Sequence, residues 1–290
     1  MKIYLTIGFA IAAMAVAGIY TTYSLMTSAW EIDLTRQVEL DMLRCRRHEK
    51  DFIARRDTTY ISKHAAAYNR AAAGAKRIET DAQDRSILRH MKNYQLAFHD
   101  ITQAISEVGL TENDGLRGQL RTAIQDAEKA LEGHDELLIL ILRCRRHEKD
   151  FLLRNDATYV DKFEDSADDL LRAVLSSDLT ADGEFRVPDL VVTYREAFRS
   201  LVDRMVGIGL DENQGLRGKM RASVHQTELV FEQLHSIADA DRERTFNASI
   251  AVGMILTALV AIATWLLFNT MRKDAALREE AVREPFTSVR

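Results

Sequence analysis

Proline is almost absent from this sequence, with 2 residues in 290, and glycine is scarce at 13. Such a chain lacks the punctuation of a sheet protein with many turns, and its abundant Ala, Leu, Arg and Glu favour long helices, so an all-α fold is expected. Blocks of one charge sign are also missing. The formal charge is only −5, with acidic and basic residues interspersed, which excludes a nucleic-acid footprint. Apolar residues are plentiful at 47%, so the chain is not disordered and must bury a core.

Charge is lacking altogether from Ile3 to Trp30 and from Thr245 to Met271. Each stretch supplies the roughly 20 apolar residues of a bilayer crossing. Two transmembrane helices, 3–26 and 248–271, are therefore expected, the first too long for a cleavable signal core. Lys2 precedes the first span and Arg272 and Lys273 follow the second, which puts residues 1–2 and the tail 272–290 in the cytoplasm and 27–247 in the periplasm.

The chain carries an internal duplication. "RCRRHEKDFIARRDTTYISK" (44–63) matches "RCRRHEKDFLLRNDATYVDK" (143–162) at an offset of 99, and "VGLTENDGLRGQLR" (108–121) matches "IGLDENQGLRGKMR" (208–221) at an offset of 100. Apolar or small residues at Leu34, Val38, Cys45 and Phe52 follow helical spacing, and neither Pro nor Gly interrupts residues 29–68. The pattern predicts two long helices, about 27–79 and 136–175, with four shorter ones bounded by the glycine loops 109–115 and 209–215. A helix of that length reaches roughly 80 Å, enough for two storeys. The expected arrangement is two stacked four-helix bundles: a membrane-near one from about 27–56 and 156–247, and a distal one from about 57–155.

Each repeated phrase carries arginines one turn apart, Arg44 with Arg47 and Arg143 with Arg146. The loop patches add Arg217 and Arg221 for one storey, Arg117 and Arg121 for the other. Such clusters either pair with Asp51, Asp150, Glu49 and Glu148 on a solvated helix face or hold a small carboxylate between helices. Cys45 with His48 and Cys144 with His147 have a metal-ligand spacing, but neither copy offers a second such pair, so no metal or other cofactor is expected. The two cysteines, roughly 30 Å apart in the stacked arrangement, are not expected to bridge. A nucleophile elbow, a phosphate loop and an HExxH pattern are all missing, and enzymatic activity is not expected.

Taken together, the insert between two spans, the phrases "RRHEKDFIAR" and "RRHEKDFLLR" and the paired "GL…GLRG" loops resemble the helical bimodular (HBM) sensor domain of bacterial chemoreceptors and sensor kinases. The resemblance covers 27–247 and implies a homodimeric sensor of small organic acids. Carried over by position, it implies a membrane-near site of Arg44, Arg47, Arg217 and Arg221 and a distal site of Arg143, Arg146, Arg117 and Arg121. A receptor of this family continues into a HAMP linker and an output region, whereas "RKDAALREEAVREPFTSVR" follows the second span here. The expected protein is therefore a truncated receptor or one that signals through a partner in trans. The alternative is a membrane module without a small ligand that docks a periplasmic protein or another receptor.

Overall fold

The computed structural model describes residues 2–81, 86–177, 179 and 187–283. Their regular structure is α-helical throughout: α1 (Lys2–Arg55), α2 (Thr59–Asp81), α3 (Ser86–Val108), α4 (Gly115–Ala130), α5 (Asp135–Arg154), α6 (Thr158–Leu175), α7 (Val187–Ile208) and α8 (Gly215–Arg283). The chain divides into two compact units, residues 37–231 and residues 1–36 with 232–290.

The helices expected over 27–79 and 136–175 do not run through. Each is broken at a residue in the left-handed region, Arg56 at φ 58° and Asn155 at φ 51°. The N–H of Arg56 donates to the Phe52 carbonyl and that of Asn155 to the Phe151 carbonyl, both at 2.8 Å, a left-handed helix cap. The carboxylates of Asp57 and Asp156 then accept from the N–H groups of Thr59 and Thr158 at 2.8 and 2.9 Å, opening the next helix. At these points the chain reverses. α2 returns along α1, with Arg70 Nε donating to Asp41 Oδ1 at 3.2 Å and the Cys45 thiol donating to the His64 carbonyl at 3.7 Å; α6 returns along α5 in the same way. Among the described residues there are thus eight helices rather than two long and four short, and the longest are α1 and α8, of 54 and 69 residues.

α5 shows how sequence specifies these elements. Asp135 and Glu136 occupy its first turn, where the helix dipole favours anions. Leu137, Ile141, Cys144, Glu148 and Phe151, three or four residues apart, form its buried stripe. That stripe belongs to one continuous core drawn from α4, α5, α6 and α7, including Leu120, Ile124, Phe163, Leu170, Tyr194 and Phe198. At its centre the Phe198 ring lies 3.9 Å from Phe163 and meets Phe151 edge-on at 5.7 Å. Each such side chain contributes about 1.5–3 kcal/mol by leaving water.

The first copy repeats the pattern. Phe52 meets Phe98 edge-on at 6.1 Å and His64 stacks on Phe98 at 3.8 Å, linking α1, α2 and α3. Met220, Val224 and Phe231 of α8 are buried as Leu120, Ile124 and Leu131 are at the corresponding positions of the first copy. The expected division of the chain at residue 156 therefore does not hold, because residues on both sides of it share one core. Cys45 and Cys144 are free thiols, each fully buried.

Both glycine loops appear where expected. Gly109 and Gly209 adopt φ of 115° and 108°, and a Cβ on either would stand 2.1 or 2.2 Å from the carbonyl oxygen of Asp114 or Gln214. Only glycine fits a turn that brings α4 or α8 so close to the preceding helix end.

In the unit of residues 1–36 and 232–290, α8 holds an 18-residue window of mean hydropathy 2.4, none of it buried. Among the described residues it is the one helix apolar and long enough to cross a membrane. The first expected span, 3–26, is helical backbone within α1, but the side chains of residues 1–7 and 9–11 lie outside the described ones.

Candidate functional site: two matching grooves

Two grooves occupy equivalent places in the two copies. The first, about 570 Å³, runs between α1 and the loop and opening turns of α8; its charged lining is Arg46, Lys50, Arg217 and Arg221 against Glu49 and Glu212. The second, about 530 Å³, runs between α5 and α4 and is lined by Arg117, Arg121, Arg145 and Lys149 against Glu112 and Glu148. Four cations line each groove against two carboxylates; with Glu128, which holds Arg145 from outside the lining, the excess is two positive charges in the first groove and one in the second.

The carboxylates are partly engaged. Arg46 Nη1 holds Glu49 at 2.5 and 2.6 Å, and Tyr94 donates its hydroxyl to the same carboxylate at 2.9 Å. In the second copy Tyr194 donates to Glu148 at 2.9 Å and Lys149 lies 3.3 Å from it, while Arg145 reaches across to Glu128 of α4 at 2.5 Å. Arg121 and Arg221 pair with Glu112 and Glu212 at 3.2 and 3.4 Å. Among the described residues Arg117 and Arg217 have no ion-pair partner, and the Arg117 Nε is buried without an acceptor. Burial pushes the Glu49 carboxyl above the usual carboxylate range.

Beneath the first groove, the single Tyr94 hydroxyl proton goes to Glu49, so at the 3.1 Å contact the His64 Nε2 must be the donor to the phenol oxygen. Burial, then the charge of His48, pushes the His64 imidazole down to about 4. Phe163 holds the equivalent position in the second copy, facing Tyr194 edge-on at 5.4 Å. The two copies thus keep the tyrosine–glutamate contact and differ in what supports it.

Of the residues expected at the sites, Arg217, Arg221, Arg117 and Arg121 line the grooves. Arg44, Arg47, Arg143 and Arg146 do not. Arg44 is tied to Asp41 at 2.7 Å, Arg47 is 81% exposed beside Asp51, and Arg143 and Arg146 are exposed on the outer face of α5. The arginine each phrase turns inward is the middle one, Arg46 or Arg145, followed one turn later by Lys50 or Lys149. The signal was present in helical phase: Arg46, Lys50 and Ile53 sit beside the buried stripe of Cys45, Glu49 and Phe52, whereas Arg44 and Arg47 flank it on its far side.

Among the described residues no three His, Cys, Asp or Glu side chains gather where they could share a metal ion. No family model, curated protein or solved structure matches this chain.

Proposed function

We propose that the chain is a membrane-anchored sensor of small organic acids, in which residues 37–231 form two four-helix bundles and each bundle presents one carboxylate groove. The observation that carries this reading is the excess of positive charge in both grooves, with Arg117 and Arg217 left without a carboxylate partner among the described residues. Guanidiniums so placed fit carboxylate geometry bidentately. The groove volumes lie in the range of small-molecule sites. The resemblance to HBM sensor domains supports the ligand class, a periplasmic setting and a homodimer.

Signalling in this reading runs through α8. It supplies Arg217 and Arg221 to the first groove and continues without a break into the apolar window. An acid bridging Arg46 or Lys50 of α1 to Arg217 of α8 biases the longitudinal position of that helix, provided it binds one position better than the other. Shifts of one or two ångströms are the scale on which packed helices respond. The second span, the cytoplasmic termini and a signalling partner in trans belong to this proposal.

The test is calorimetric titration of the full chain in lipid nanodiscs with acetate and with di- and tricarboxylates. Arg46→Gln with Arg217→Gln is expected to abolish one binding event, and Arg145→Gln with Arg117→Gln the other. Absence of heat with every acid refutes a small-ligand sensor and favours the docking reading, which draws on the equivalent Leu43 and Leu142, each 56% exposed.

A further inference from the structure

All four connections within residues 37–231 that join helix ends at 55–59, 108–115, 154–158 and 208–215 contribute to, or adjoin, a third cavity of about 220 Å³. Its polar lining is Arg56, Asn155 and Arg217; the remainder is apolar, chiefly Ile53, Ile101, Ile105, Met205, Ile208 and Leu210, and among the described residues no carboxylate lines it. It is separate from the grooves, sharing only Ile53 and Arg217 with the first.

Arg56 is the unexplained residue. Its copy-mate is Asn155, and both sit in the left-handed region. Asparagine adopts that conformation readily, whereas arginine is held there at a cost on the order of 1 kcal/mol. The side chain is half-buried, and among the described residues its Nη1 is buried without an acceptor and no ion pair engages it. Glu107, at the end of α3, is held by Arg204, and the Asp57 and Asp156 carboxylates accept from the N–H groups of Thr59 and Thr158. Burial, then the charges of Arg117 and Arg217, pushes the Arg56 guanidinium below its ordinary value. A strained, partly desolvated cation facing two others carries a cost that an anion would remove.

We propose that this junction cavity binds one monocarboxylate with an apolar body, its carboxylate held between Arg56 and Arg217 and its body against the isoleucine-rich wall. Size supports the class: cavities of about 150 Å³ accommodate benzene, and this one is about 220 Å³. The lining distinguishes it from a phosphate or acetate site, since neither anion would displace water from the apolar wall. This inference does not rest on the groove reading, and it gives the duplicated molecule a site that neither copy forms alone, because Arg56 comes from the first copy and Arg217 from the second.

The probe is benzoate, titrated by calorimetry into the full chain in lipid nanodiscs with empty discs as blank, and with acetate and inorganic phosphate as competitors. Wild type is expected to bind one benzoate. Arg56→Asn, which installs the residue that already serves at position 155, should keep the fold by circular dichroism and weaken benzoate roughly tenfold or more, the loss expected for one charge-assisted contact. Met205→Phe, which fills the cavity without altering charge, should also weaken it. Arg46→Gln should leave it unchanged while altering the groove titrations, so the two readings fail separately. No benzoate binding by wild type, an unchanged affinity in Arg56→Asn, or competition by phosphate as strong as by benzoate would each overturn the proposal.

Discussion

Replacing His64 by phenylalanine isolates the energetic difference between the two copies. His64 is buried to 2% exposure, stacks on Phe98 and donates to Tyr94. Phe163 does the same packing in the second copy without a titratable group. At pH 7 the substitution removes one hydrogen bond, about 0.5–1.5 kcal/mol, and adds apolar contact, so the two effects nearly cancel. The pH dependence does not cancel. The folded chain holds the imidazole neutral down to about pH 4, whereas the unfolded chain protonates it near 6.5. As pH falls through that window the unfolded state binds a proton that the folded state refuses, so stability present above pH 6.5 is lost towards pH 4. The difference corresponds to about 3 kcal/mol, a Tm change of roughly 10 °C for a unit of this size. Melting the full chain in detergent from pH 7.5 to 4, wild type beside His64→Phe, should show the variant overtaking the wild type on acidification. Parallel pH profiles would refute the neutral, buried imidazole and with it the assigned direction of the His64 to Tyr94 hydrogen bond.

Gly209→Ala forces a Cβ against the Gln214 carbonyl, whereas Gly207→Ala meets nothing within 4 Å; the first is expected to cost roughly 1–3 kcal/mol and the second to raise stability slightly, both read as Tm shifts. Burial pushes the Cys45 and Cys144 thiols up to about 12, so iodoacetamide at pH 8 should label neither until denaturant is added, as followed by mass spectrometry.

The all-helical class was readable from the scarcity of proline and glycine, and the glycine loops at 109–115 and 209–215 from their left-handed turn chemistry. The chain reversals were not, because Arg56–Asp57 and Asn155–Asp156 make them without a Gly or Pro, through a left-handed cap followed by an aspartate that restarts the helix. Missing those reversals turned hairpins into tall helices and moved the division between the cores. Helical phase also decides which arginines line the grooves. A loop fixes the positions of Arg117 and Arg217, whereas Arg44 and Arg47 stand one turn apart on a face turned away from Arg46 and Lys50, which flank Cys45 and Phe52 on the groove side. Arg56 carries no motif at all; only its backbone conformation and its missing acceptor single it out.

The borders of the duplication and the borders of the cores are out of step by one helix. The α4–α7 core is contiguous in the chain, ending at residue 208, while the buried Met220, Val224 and Phe231, equivalent to core residues of α4 and its end, come later, in the opening turns of α8. During synthesis the inner core can therefore close while the outer one still exposes an apolar face, for a delay of roughly seconds at ordinary elongation rates. Because the last helix to arrive is also the one that carries the apolar window, burial of Met220, Val224 and Phe231 waits until that window is being made, which ties completion of residues 37–231 to synthesis of the apolar helix.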